Sequence, residues 1–183
     1  MRIGLVRHFE VLLKKPPRKK VITQSELIDW LEEYDRAEIE KARTSLQDID
    51  WQRCYSSDLP RAITTAREIY KGEIVATEVL RELQLNPIFK KDVKLPYLLW
   101  PVIIRVAWLV NHKSQIKYKL ESLKRIKDFI DELLSLHLEN ILIVSHGAIM
   151  IYLRKELKKR GFKGPKFSLP VNGELYVFEK LGF

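Results

Sequence analysis

The sequence predicts an α/β protein, a three-layer αβα sandwich around a mostly parallel sheet. Short apolar runs, RIGLV at 2–6, IVAT at 74–77 and NILIVS at 140–145, are too short for helices. Charge bounds them, as it does strands buried on both faces. Longer segments with apolar positions at helical spacing lie between them. Such alternation marks βαβ units, and 183 residues suit one domain, 1–183.

Taken in order, RIGLV runs into Arg7, His8, Phe9 and Glu10. The basic run KKPPRKK, 14–20, has Pro16 and Pro17 at its centre and predicts an extended, solvated loop. Thr23 and Glu26 have capping-box spacing and open a helix carrying Leu27, Ile28, Trp30 and Leu31. A second helical piece is expected over about 35–46. WQRCYSS, 51–57, reads as strand into loop. Asp58 is placed to cap the helix LPRAITTAREIY, whose Pro60 falls in the first turn, where proline is tolerated. IVAT leads into the loop LRELQLNP. Residues 115–137 predict a long amphipathic helix with Leu120, Leu123, Ile126, Phe129, Ile130, Leu133 and Leu134 as its stripe. NILIVSHG is a strand running into Ser145, His146 and Gly147. AIMIYLRKELKKR is the next helix, with Gly161 as its C-terminal cap. GELYVFEK, 173–180, alternates like an edge strand. No repeat or linker divides the chain, and residues 83–114 read as a lid-like apolar insertion between sheet elements.

The 46% apolar and 31% charged fractions exclude a disordered chain. One cysteine, Cys54, excludes an intrachain disulfide and a cysteine-rich zinc cluster, and fits a reducing, cytoplasmic setting. Arg7 interrupts the first apolar run too early for a secretory signal. The net charge of +9 points to anionic partners, whether nucleic acid, acidic lipid or phosphorylated small molecules. The segment LPYLLWPVIIRVAWLV, 95–110, is too short to span a bilayer and contains two prolines and Arg105. Lid, core and homodimer interface remain its readings.

Ligands of open α/β sheets bind at the carboxyl ends of strands. Of four histidines, His8 and His146 stand there, whereas His112 and His137 fall in a loop and at a helix end. Arg7 precedes His8, and Arg61 lies in the first turn of a helix, where free N–H groups suit phosphate. Arginine adds a bidentate fork matched to phosphate oxygens. Turnover also needs a proton for the leaving oxygen, and either Glu82 or Glu10 supplies a carboxyl. A nucleic-acid module accounts for the charge but not for this constellation, so no nucleic acid is expected.

LVRHFE, SSDLPRAITTA, LRE and VSHG, in that order, resemble the histidine phosphatase superfamily, the phosphoglycerate mutase-like or RHG-motif enzymes. The resemblance covers residues 2–83 and 140–180, with 84–114 matching only loosely. It implies that His8 is the nucleophile and that Arg7, His8, Arg61 and His146 form the phosphate pocket. Glu82 takes the proton donor's place, which favours it over Glu10. It also implies a phosphorylated small-molecule substrate and neither metal nor cofactor. Phe9 departs from the family's usual glycine, and Val11 from its usual threonine or serine. Phe9 either points away from phosphate or, with Glu10, contacts substrate. The apolar segment favours a phosphatase for a phosphomonoester with an apolar part. A phosphoglycerate-type mutase and a catalytically impaired phosphate-binding protein are the alternatives.

Overall fold

Adjacent residues of the central strands face opposite cores. In the computed structural model, which describes residues 1–13, 20–40, 42–83 and 86–181, β1 (Arg2–Arg7) sends Ile3 and Leu5 to one face and Val6 to the other. β6 (Asn140–Ser145) divides in the same way, with Ile141 and Ile143 opposite Leu142 and Val144. With β3 (Arg53–Ser57), β4 (Ile74–Thr77) and β7 (Leu175–Glu179) they form a five-stranded sheet in the order β4-β3-β6-β1-β7. Four strands are parallel, and β7 closes one edge antiparallel to β1.

One face is covered by α2 (Pro60–Ile69), whose Ala62 and Ala66 pack with Trp51, Cys54 and Val6. The other is covered by α4 (Ile116–Ser135) and α5 (Gly147–Lys159), which bring Phe129, Ile130, Leu133, Ile149 and Leu153 onto the sheet. The three layers and the mostly parallel sheet agree with the sequence reading. So do the Thr23–Glu26 capping box and Gly161, which takes the positive φ of a helix-ending residue.

A smaller apolar cluster stands apart. β2 (Val21–Thr23) pairs antiparallel with β5 (Lys94–Pro96), more than seventy residues later in the chain. α1 (Gln24–Arg36) and α3 (Trp100–Leu109) join them around Ile22, Leu27 and Trp100. The Gln24 side chain ties this unit together, accepting from the Ile88 and Phe89 N–H groups and donating to the Phe89 carbonyl.

Some expectations are not met. The helix foreseen over 35–46 does not form. Ile39 instead bridges Val11, and Glu40 N–H donates to the Glu10 carbonyl at 2.7 Å, because tertiary pairing offers these backbone groups partners. Asp58 does not cap α2. It pairs with Arg81, and Leu59 is the N-cap without a side-chain bond. Leu120 is exposed in the first turns of α4, off the stripe that meets the sheet. The basic run lies, at 14–19, outside the described residues. Among the described residues no helix is long and apolar enough to cross a membrane.

Candidate active site

The β1–β6 register sets Arg7 opposite Ser145, so the next residue of each strand is a histidine at the sheet's carboxyl edge. His8 N–H donates to the Ser145 carbonyl at 3.0 Å, which locks the two strand ends together. The His8 and His146 rings lie 5.2 Å apart at 55°. Both side chains are buried.

Hydrogen bonding fixes the His8 tautomer. Nδ1 lies 2.7 Å from the Phe9 carbonyl, which can only accept, so Nδ1 carries the proton. Nε2 receives Arg61 Nε–H at 3.2 Å and therefore presents a lone pair. Burial lowers the His8 pKa to about 3; the Phe9 carbonyl opposes this, and the charges of Arg61 and Arg7 reinforce it. A neutral imidazole whose unprotonated Nε2 carries its lone pair, once released by Arg61, can act as a nucleophile.

Arg61 is 2% exposed in the first turn of α2. Its Nη1 pairs with Asp35 Oδ1 at 2.6 Å, at the end of α1. Thr65, one turn on, donates to the Arg61 carbonyl and accepts the Phe9 N–H, which joins α2 to the His8–Phe9 peptide. Arg7 donates from Nη1 to the Pro170 carbonyl, while its buried Nε has no partner. His146 Nε2 lies 2.8 Å from Ser57 Oγ, and Nδ1, also buried, has no partner. Burial, then the charges of Arg61, His8 and Arg7, hold the His146 pKa well below the ordinary histidine value. Two buried nitrogens, Arg7 Nε and His146 Nδ1, thus lie beside the Arg61 and Arg7 guanidinium groups, an arrangement suited to an anion.

Glu82 follows β4 and a short 3₁₀ turn. The residue is half-buried, yet its carboxyl is enclosed, accepting from Leu83, Ala148 and Ile149 N–H groups at 3.0–3.3 Å. Ala148 and Ile149 belong to the first turn of α5, whose N-cap is His146, so acid and histidine share one helix end. Burial raises the Glu82 pKa, against the hydrogen bonds and Arg61.

Phe9 is 1% exposed, and its ring packs on Gly173. A Cβ at Gly173 would stand 2.9 Å from that ring, and Gly173 has a φ of +72°. Phe9 itself is not among the described residues of positive φ, so its backbone does not call for glycine. Glu10 is exposed, and Val11 is buried beside Ile39. The site also includes Asp35, Ser57, Thr65 and Asn172, whose Nδ2 donates to the His8 carbonyl at 2.6 Å, none of which the sequence marks as a site residue. Ser57 and Thr65 stood within SSDLPRAITTA. Asp35 and Asn172 carry no local signal.

An apolar groove of about 880 Å³ opens from this edge between α1, α3 and α5. Glu82 and Ala148 are among its lining residues, with Trp30, Leu31, Ile104 and Trp108, whereas Arg7, His8, Arg61 and His146 are not. Neither Phe9 nor Glu10 lines it.

A sequence model of the histidine phosphatase superfamily (branch 1) matches residues 3–180. No curated protein matches the chain. Among solved structures, the α-ribazole phosphatase of Shigella flexneri is 19% identical, with 97% of this chain and 89% of that one covered at a TM-score of 0.56. The phosphoserine phosphatase of Entamoeba histolytica, in complex with 3-phosphoglyceric acid, is 17% identical, with 96% and 89% covered and a TM-score of 0.56. A mycobacterial glucosyl-3-phosphoglycerate phosphatase is 17% identical, with 86% and 79% covered and a TM-score of 0.55. At these identities the likeness is one of fold.

Proposed function

Because the chain belongs to the histidine phosphatase superfamily, we propose that it is a metal-independent phosphatase acting through a phosphohistidine on His8, on a phosphomonoester with an apolar part. The observation that carries this reading is the His8 tautomer, with the proton held at Nδ1 and the Nε2 lone pair facing Arg61.

Phosphate takes the Arg61 N–H now spent on Nε2, together with the unpartnered Arg7 Nε–H. The Ser57 hydroxyl donates to His146 Nε2, which leaves Nδ1–H for a third phosphate oxygen. His8 Nε2 attacks phosphorus in line, and the P–N bond forms as the bond to the leaving oxygen breaks. Glu82, whose burial favours the protonated carboxyl, gives its proton to that oxygen. The carboxylate then takes a proton from water as the water oxygen attacks phosphorus. The P–N bond breaks, its electrons return to Nε2, and inorganic phosphate leaves. The charge that develops meets fixed cations and N–H groups, so the scheme needs no metal.

The groove beside Glu82 favours a phosphatase over a phosphoglycerate mutase, whose small acidic substrate offers nothing to apolar walls. The test is phosphate release from para-nitrophenyl phosphate and a panel of phosphorylated metabolites in the presence of chelator. Release that falls about a thousandfold or more in His8→Ala supports the reading. Transfer to an acceptor without release makes the protein a mutase. Phosphate binding with no turnover makes it a binding protein. Glu82 keeps its role if Glu82→Ala loses activity on a poor leaving group while Glu10→Ala retains it.

A further inference from the structure

Resting on that phosphatase reading, we propose that the substrate is a lipid phosphate, whose hydrocarbon chain lies along α3 in the apolar groove. The groove reaches the proposed acid, since Glu82 and Ala148, whose N–H donates to the Glu82 carboxylate, are both among its lining residues. Its walls are Leu31, Trp100, Ile104, Trp108, Ile151 and Tyr152. Among its lining residues only Glu82 and Arg105 are charged. The hydroxyls of a sugar or the carboxylate of a phosphoglycerate would lose water there with few partners in return. A hydrocarbon chain loses nothing.

Size agrees with this occupant. α3 has ten residues, and Trp100, Ile104 and Trp108, two turns of it, line the groove. Ten residues rise about 15 Å, and a C–C bond of ~1.5 Å at ~111° advances about 1.25 Å, so roughly twelve carbons span it. The volume of about 880 Å³ holds on the order of thirty waters, ample for such a chain.

The exposure of the same helix supports the same class of molecule. Val102, Val106 and Leu109, which also line the groove, are 57%, 49% and 73% exposed, and Leu98, in the turn before α3, is 79% exposed. The chain as a whole carries +9, which draws it to the anionic surface that lipid phosphates form. A substrate leaving such a surface meets apolar contact first and the cationic pocket last.

The test is kcat/KM for n-alkyl phosphates from butyl to hexadecyl, each below its micellar concentration, with para-nitrophenyl phosphate as reference. The value should rise about fourfold per methylene, through KM, and level off near twelve carbons. Trp108→Ala and Ile104→Gln should each cut that increment below twofold. A flat series on an enzyme that hydrolyses para-nitrophenyl phosphate overturns the lipid substrate and leaves the phosphatase reading intact. A flat series from a dimer that buries α3 overturns it too, and makes the stripe an interface between copies. If no phosphomonoester is hydrolysed, the phosphatase reading fails by itself. n-Alkyl phosphonates, followed by the fluorescence of Trp30, Trp100 and Trp108, then decide the ligand class. A Kd that falls about fourfold per methylene sustains a lipid phosphate, and a Kd independent of length overturns it.

Discussion

Phe9→Ala separates a packing role from a substrate role at the position where the family usually has glycine. The side chain is 1% exposed and rests on Gly173, outside the groove. An aromatic side chain buries about 200 Å², which at ~25 cal/mol per Å² is about 5 kcal/mol, and buried Phe→Ala changes cost ~3–5 kcal/mol. Taking about 4 kcal/mol, and ~2–4 °C per kcal/mol for a chain of this length, the melting temperature should fall by about 12 °C. Catalysis should change far less. What Phe9 contributes to the pocket is backbone, a carbonyl for His8 Nδ1 and an N–H for Thr65. At 20 °C, where the variant stays folded, kcat should lie within about threefold of the parent, since these bonds persist. Thermal unfolding by circular dichroism and steady-state turnover of para-nitrophenyl phosphate are the two assays. The reasoning is refuted if the melting temperature moves less than 3 °C. It is also refuted if kcat/KM falls more than tenfold while the fold is intact, which would make the ring a substrate contact.

Acid should weaken the fold through His8. Its folded pKa, about 3, lies below the ordinary 6.5, so the unfolded chain binds the proton first and stability falls as pH drops from 6.5 towards 3. The two-unit gap at pH 4.5 costs about 3 kcal/mol, and urea titrations of the parent and His8→Asn at pH 7 and 4.5 should differ by that amount. Glu82→Gln should cut hydrolysis of an alkyl phosphate by about 10²–10⁴ and that of para-nitrophenyl phosphate by much less, because nitrophenolate leaves without a proton. The parent's rate on the alkyl ester should decline as pH rises through the raised Glu82 pKa, and phosphoenzyme formation by rapid quench should show the same limb. Ser57→Ala strips His146 Nε2 of its buried partner and should cost about 1–3 kcal/mol in a denaturant melt, with a matching loss in phosphate affinity. An unchanged melt would place the Ser57–His146 bond outside the folded ensemble.

The parts of the molecule that could be read beforehand share a physical cause. Strands buried on both faces must be apolar throughout, so RIGLV and NILIVS stand out, and the polar residue that ends each one is conspicuous. That makes His8 and His146 visible, the first turn of a helix adds Arg61, and the order of motifs favours Glu82 over Glu10. Asp35 was invisible because a carboxylate at the end of an amphipathic helix looks solvated, and only tertiary packing carries it to Arg61. The β2–β5 pairing joins three-residue strands far apart in sequence, one ending at Pro96, and no local pattern announces it. Asp58 fits a cap by position, yet an arginine is the stronger partner for a carboxylate than a backbone N–H. The segment 35–46 has helical spacing, but partners beside Val11 and Glu10 outweigh propensity.

The small cluster of Ile22, Leu27 and Trp100 is separate from the two cores that clasp the sheet, and its strands have three residues each. A two-stranded sheet of that size is marginal on its own, so this unit can open at a free-energy cost well below that of unfolding the sheet. Slow amide exchange in β1 and β6 beside fast exchange in β2 and β5 would be its signature. His8 and His146 thus stand on the stiff part of the molecule, while α1, which brings Asp35 to Arg61, and α3 belong to the soft part. Changes that reshape the groove through α3 need not disturb His8 or Arg61. Such a division lets the choice of substrate drift across generations while the reaction stays fixed.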